Sequence, residues 1–292
     1  MLNTLFPIVV SALTLGSVYA LMAVGLALIW GGMGILNLTQ GALFMMGAYT
    51  AFSVSRLGGN PWLGLFAAGF VTGGFGLILY MGPIRPLLRR KDGGNAILIA
   101  TISIAAILES IALAYYGPRN KVVPELAGGA FRFLGVPITY NALLILVVSV
   151  MLLAALAIIL RKTRLGIAIR AVAQNIEGAQ LSGMNPRLLF AIVFGISSAL
   201  AGIGGVLLSS IYFVTPYVGQ TYLLTALIVT ILGGLGSVSG TLLAAYVVGF
   251  IQAFISFYLG VRWSLPVLFA TIIAVLVFMP TGLAGVAQTK RL

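Results

Sequence analysis

The sequence predicts an all-α integral membrane protein, a polytopic bundle of about eight transmembrane helices with broken or re-entrant segments in an inverted-repeat arrangement. Three observations predict it. Hydrophobic residues make up 61% of the 292-residue chain and charged residues 7%, whereas a soluble domain carries about 25% charged residues. Apolar runs long enough to cross a bilayer recur from end to end. Two of those runs, in opposite halves of the chain, are interrupted by glycine and polar residues. The alternating polarity of a β-barrel is absent.

A spanning helix needs about 20 mostly apolar residues. Such spans fall at Leu5–Trp30, Ile35–Phe52, Trp62–Gly82, Ala96–Tyr116, Asn141–Leu160 and Leu188–Tyr212. The first has no basic residue ahead of it and exceeds the apolar core of a signal peptide, so it reads as a span. Tyr222–Leu259 is long enough for two passes, broken around Gly233–Gly240, and Ser264–Met279 is the last. Trp62, Tyr115, Tyr116 and Trp263 fall near span ends, where an aromatic belt places them. The longest polar connections are residues 117–140 and 161–187, so residues 1–292 read as a single membrane domain.

Lys and Arg set the orientation, because cytoplasmic loops carry their excess. Arg85, Arg89, Arg90 and Lys91, then Arg161, Lys162, Arg164, Arg170 and Arg187, then Lys290 and Arg291 all fall on one side. That side is assigned as cytoplasmic, with the C-terminus. Arg56, Arg119, Lys121, Arg132 and Arg262 fall in the opposite loops. The net charge of +12 therefore marks a membrane face and not a nucleic-acid partner.

Composition also excludes chemistry. The chain has no His and no Cys, which removes His-ligated or thiolate metal sites, Ser-His triads and disulfides. The acids Asp92, Glu109, Glu125 and Glu177 are widely spaced, and no phosphate-binding GxxxxGK[ST] loop occurs. No catalytic group, metal or cofactor is expected. Glu109 is the one acid deep in an apolar run. Intramembrane acids default to functional candidates, but its place toward the end of its span favours a structural role beside a polar neighbour such as Ser110.

The connection 161–187 is too polar to span and too patterned for a plain linker. Leu165, Ala168, Ile169, Val172, Ile176 and Ala179 recur at helical spacing, with Arg170, Gln174 and Glu177 on another face. The pattern predicts an amphipathic helix at the membrane surface or against a partner. Gly183 closes it as a C′ glycine. Asn185 caps the next span and Pro186 takes its first position.

Within the membrane, Gly31-Gly32-Met33-Gly34 precedes Asn37-Leu38-Thr39-Gln40-Gly41, and Gly233-Gly234-Leu235-Gly236-Ser237 interrupts the later run. Unpaired amides are costly in hydrocarbon, so Asn37 and Gln40 must pair inside the bundle or face a wet cavity. Broken segments in both halves point to a transport pathway. Its candidate residues are Asn37, Thr39, Gln40, Gly41, Gly233, Gly234, Gly236 and Ser237. Gly69-x-x-x-Gly73 and Gly195-x-x-x-Ala199 are better explained by helix packing.

Three elements in this order resemble the permease subunits of branched-chain amino acid ABC importers, and more closely the LivH type of the two paired permeases. They are Gly16-Ser17-Val18-Tyr19-Ala20-Leu21 through Gly41, Arg164–Asn185, and Ile231–Ser237. The resemblance covers nearly the whole chain. It implies a pathway shared with a second, LivM-like permease, two cytosolic ATPase subunits, a soluble binding protein outside, and a place in the bacterial inner membrane, in contact with lipid. It also implies that residues 161–187 are a coupling loop, with Arg170, Glu177, Ala179 and Gly183 engaging the ATPase. The family often reads Asn-Phe-Ala-His-Gly-Glu around the first break. Here Gln40 replaces the His and Ala42 the acid, which leaves the cargo open between branched-chain amino acids and related small polar solutes. The competing reading is an autonomous ion-coupled carrier, in which Glu109 alone could relay a proton. A membrane enzyme is disfavoured by the missing His, Cys and carboxylate pair.

Overall fold

The structure is a computed structural model that describes residues 2–90, 92–133, 136–279 and 282–284. The chain begins with α1 (Leu2–Met33), α2 (Gln40–Arg56) and α3 (Pro61–Leu79). A π turn at Tyr80–Ile84 and the short α4 (Arg85–Leu87) prolong α3. Next come α5 (Gly93–Tyr116), an antiparallel hairpin of β1 (Ala130–Phe133) and β2 (Val136–Thr139), and α6 (Tyr140–Lys162). Then follow α7 (Arg164–Gln174), α8 (Ile176–Leu181), α9 (Pro186–Ser209), α10 (Val218–Gly233), α11 (Val238–Tyr258) and α12 (Ser264–Phe278). Among the described residues, 7 helices are long and apolar enough to cross a membrane. α2 and α10, with 17 and 16 residues, are shorter.

One boundary differs from the sequence reading. The expected span Ile35–Phe52 begins only at Gln40, because Gly34 turns the chain with φ +66 and the Asn37 side chain accepts a hydrogen bond from Thr39 N. That Asx turn competes with helix. The run 222–259 forms two helices, as read, with the break at Gly234–Ser237, but only the second is long enough to count as a full span.

α1 is the axis of the bundle, buried nearly throughout, while α5, α6 and α12 turn apolar side chains such as Ile102, Met151 and Ile273 outward. Lipid tails are as apolar as Leu, so helices here associate by close approach of small residues. A Cβ on Gly16 of α1 would lie 2.9 Å from the Tyr246 ring of α11. A Cβ on Gly73 of α3 would lie 3.3 Å from both Ala199 Cβ and Gly195 O of α9. Both small-residue motifs are thus packing motifs, as expected.

The packing has a two-fold pattern. α1 lies on α11 as α9 lies on α3, and α2 packs on α9 as α10 packs on α1. α1 and α9 run antiparallel, with Leu21 beside Gly204 and Gly25 beside Ser197. Gly41 of α2 meets Gly219 of α10, and Phe44 meets Tyr222 with ring centroids 5.2 Å apart. The same sequence offset relates both pairs. The units α1–α2–α3 and α9–α10–α11 are therefore inverted copies whose pseudo-two-fold axis passes between α2 and α10.

The basic segments around Arg85–Arg90 and Arg161–Arg187 share one end of the bundle, where Tyr80 meets Phe190 with ring centroids 6.3 Å apart. At the other end, Lys121 pairs by backbone with Val214. Lys91, Lys290 and Arg291 lie outside the described residues.

Candidate functional site

The α1–α2 break is closed by its own polar groups. Gln40 is fully buried, and its amide donates to Ser197 O at 3.0 Å and Ser197 Oγ at 3.1 Å. Asn37 Nδ2 donates to Gln40 Oε1 at 3.5 Å, and Thr39 Oγ1 donates to Thr101 O of α5 at 3.0 Å. Of the two fates open to these amides, the structure shows pairing inside the bundle. Gly41 completes the group: a Cβ there would sit 2.5 Å from Gly219 O. Ser197 and Thr101 gave no signal in the sequence, since a lone hydroxyl in an apolar run is common.

The second break is a glycine turn. Gly233 ends α10, and Gly234 and Gly236 have φ of +96 and +85. Ser237 caps α11, its Oγ accepting from Gly240 N at 3.1 Å. The chain beyond α12 returns to cover the turn, Leu283 N donating to Leu232 O at 2.8 Å. Gly236 lies on the end of α1, 3.1 Å from where a Gly31 Cβ would stand. Gly236 and Ser237 line a cavity of about 400 Å³ with α1, α6 and α7. None of Asn37, Thr39, Gln40 and Gly41 lines it, so the two candidate groups are not brought into one cavity.

A further cavity of about 410 Å³ opens at the opposite end of α1 and α11, lined by Ser11, Tyr19, Tyr212, Tyr222 and Gln252. Tyr19 OH donates to Gln252 Oε1 at 2.8 Å. The sequence reading missed this group; Gln252, an amide inside an apolar run, was the available signal.

The predicted amphipathic helix forms as two helices instead of one. Asn175 leaves α7 in extended conformation and its side chain caps α8, accepting from Gly178 N at 3.0 Å. Thr163 caps α7, accepting from Gly166 N at 3.2 Å. Gly166 has no room for a Cβ against the carbonyls of Ile159 and Leu160. The Arg170 guanidinium donates to Leu160 O, one of the end carbonyls a helix cannot satisfy itself. Ala179 is buried, whereas Glu177 is exposed and Leu181 is 91% exposed. Ala179 therefore seats α8 while Glu177 and Leu181 face outward. Gly183 has φ +78, and Asn185 caps α9 ahead of Pro186, both as expected.

Glu109 is buried, and its carboxylate accepts from Gln220 Nε2 of α10 at 2.7 Å. The polar neighbour is thus Gln220 and not Ser110, whose hydroxyl turns back to Ala106 O. A single amide separates the bundle's one embedded acid from the first turn of α10.

An inverted repeat, a polar break in each half and cavities at opposite ends of α1 define a class: multi-pass membrane proteins that translocate a solute. Residues 8–276 match the family described as branched-chain amino acid transport system, permease component, and the chain belongs to that family. It is 33% identical to the high-affinity branched-chain amino acid transport system permease protein BraD of Pseudomonas aeruginosa, over 97% of this chain and 96% of that one. It is 31% identical to LivH of Escherichia coli K12, over 96% of each. The ribose import permease protein RbsC of Escherichia coli K12 is 29% identical over 81% of this chain and 74% of its own. These relatives are named as permeases and not as enzymes. PsaBC from Streptococcus pneumoniae, solved in complex with Fab, shares the fold at TM-score 0.51 and 15% identity, covering 92% of this chain and 90% of that one.

Proposed function

We propose that this chain is the membrane-spanning subunit of an ATP-driven importer of branched-chain amino acids or related small polar solutes. One observation carries the coupling part. α8 is a short helix seated by Ala179 against the bundle, with Glu177, Leu181 and the exposed Ile176 turned away from it. A rigidly held, outward-facing helix beside basic residues is a surface that a soluble motor subunit can grip. The assembly adds a second, LivM-like permease, two ATPases at the α8 face and a binding protein at the hairpin end. The α8 end, with the C-terminus, faces the cytoplasm of a bacterial inner membrane, in line with the Lys and Arg excess.

In this reading ATP binding moves α8, and Arg170 passes the motion from α7 to the end of α6. The breaks at Asn37, Thr39, Gln40, Gly41 and at Gly233, Gly234, Gly236, Ser237 belong to the translocation pathway. Nucleotide must bind one conformation better than the other, or it shifts nothing. The test is purification of the tagged chain in mild detergent from its native membrane, followed by mass spectrometry. Recovery of two ATPases and a second permease is the expected result. Recovery of this chain alone, with uptake after reconstitution by itself, would overturn the reading in favour of an autonomous carrier.

A further inference from the structure

The cavity between α1, α6, α7 and the start of α11 has an apolar wall and a charged rim. Leu153 and Leu156 are buried in its lining, with Ala157 beside them. Among the described residues, the only charged side chains that line it are Arg161 and Arg170, both exposed. No acid lines it. Arg161 has no ion-pair or hydrogen-bond partner among the described residues. Arg170 spends one donor on Leu160 O, and a guanidinium has five. Ser237 and Ser239 add hydroxyls to the lining. The rim coincides with the end of a spanning helix, α6, and with an amphipathic helix, α7, so it lies at the level of lipid headgroups.

We propose that this cavity seats an anionic phospholipid, with an acyl chain along Leu153, Leu156 and Ala157 and the phosphate on Arg161 and Arg170. A small polar solute would leave the apolar wall unmatched, and a branched-chain amino acid would bring its own ammonium to two arginines. A free phosphate would use the rim and none of the wall. A zwitterionic lipid would bring its own cation to two arginines. Basic pockets between membrane helices are where anionic headgroups bind. The bound lipid would touch α7 and the Gly236–Ser237 turn together, so its occupancy would set how firmly the α7–α8 unit is tied to the α10–α11 break. The inference rests on the membrane setting of the chain alone and stands or falls apart from the importer reading.

Trp30 offers the probe, since its ring lies 3.6 Å from where a Gly236 Cβ would stand. The full chain, with Trp62→Phe and Trp263→Phe, is reconstituted in nanodiscs containing brominated phosphatidylglycerol or brominated phosphatidylcholine. Trp30 fluorescence is expected to be quenched at a roughly fivefold lower mole fraction of the anionic lipid, about the effect of one arginine near an anionic headgroup. Arg161→Gln should weaken that preference, and Arg161→Gln with Arg170→Gln should erase it. Ala157→Phe should reduce quenching by both lipids. Glycerol phosphate added to the buffer should compete with neither. Equal quenching by the two lipids, or a preference that survives the double substitution, overturns the proposal. Competition by glycerol phosphate would instead identify a free-anion site and overturn the acyl-chain half. The melting temperature of each variant without added lipid checks that the fold is kept.

Discussion

Gln40 illustrates how much one side chain can decide inside a membrane. Its amide replaces water for the break in the chain, joining α2 to Ser197 of α9 and to Asn37. The sequence shows that such an amide needs partners, because an unpaired one is costly in hydrocarbon. It does not show which, since the partners lie far along the chain. Glu109 makes the same point with charge. Its bond to Gln220 makes it a link between α5 and α10, and in an importer that link needs no proton transfer. Glu109→Gln is therefore expected to leave substrate uptake by the assembled transporter within about threefold, the amide oxygen still accepting from Gln220 with a net loss of about 1 kcal/mol. A proton-coupled carrier would lose uptake entirely, so uptake assays on this one variant separate the two readings.

Among the elements, α8 is only 6 residues long and cannot hold itself as a helix. It is held by the Asn175 cap, by the buried Ala179 and by Met184 N bonding back to Ala179 O. Ala179→Leu adds three carbons to a closed contact, an overpacking of about 1–3 kcal/mol. That is too little to prevent membrane insertion and enough to lift α8 from its seat. Expected is normal membrane abundance with ATP hydrolysis no longer stimulated by loaded binding protein. Normal substrate-stimulated transport in Ala179→Leu would sink the coupling role of α8. The periodicity from Leu165 to Ala179 was legible as one amphipathic helix. The kink at Asn175 was not, because an Asn inside an amphipathic pattern reads equally well as a polar-face residue.

At the scale of the molecule, the inverted repeat concentrates its symmetry at one contact. Gly41 and Gly219 pack backbone to backbone where α2 crosses α10. Each serves as the other's close neighbour. Gly41→Ala and Gly219→Ala should each cost about 1–3 kcal/mol. The double variant should cost clearly less or more than their sum, since residues in contact couple. Denaturation in mixed micelles reads all three; strict additivity would show that the two glycines do not share a contact and would remove the pseudo-symmetry axis from between α2 and α10.

The sequence by itself determined the membrane class, most of the spans, the glycine and polar breaks, the caps at Gly183 and Asn185 and the family. All of these depend on local composition, on helical period or on motifs a few residues long. Only the tertiary structure decided that α2 and α10 are too short to count as full spans. It also decided that Gln40 is sealed on Ser197, that Ala179 faces inward while Leu181 faces outward, and that Arg161 and Arg170 share a cavity. The reason is physical. In an almost uniformly apolar chain, hydropathy separates membrane from water but does not separate a helix face on lipid from one on protein. That choice is made by the shape of small residues and by hydrogen bonds between segments far apart in sequence, and neither leaves a periodic mark.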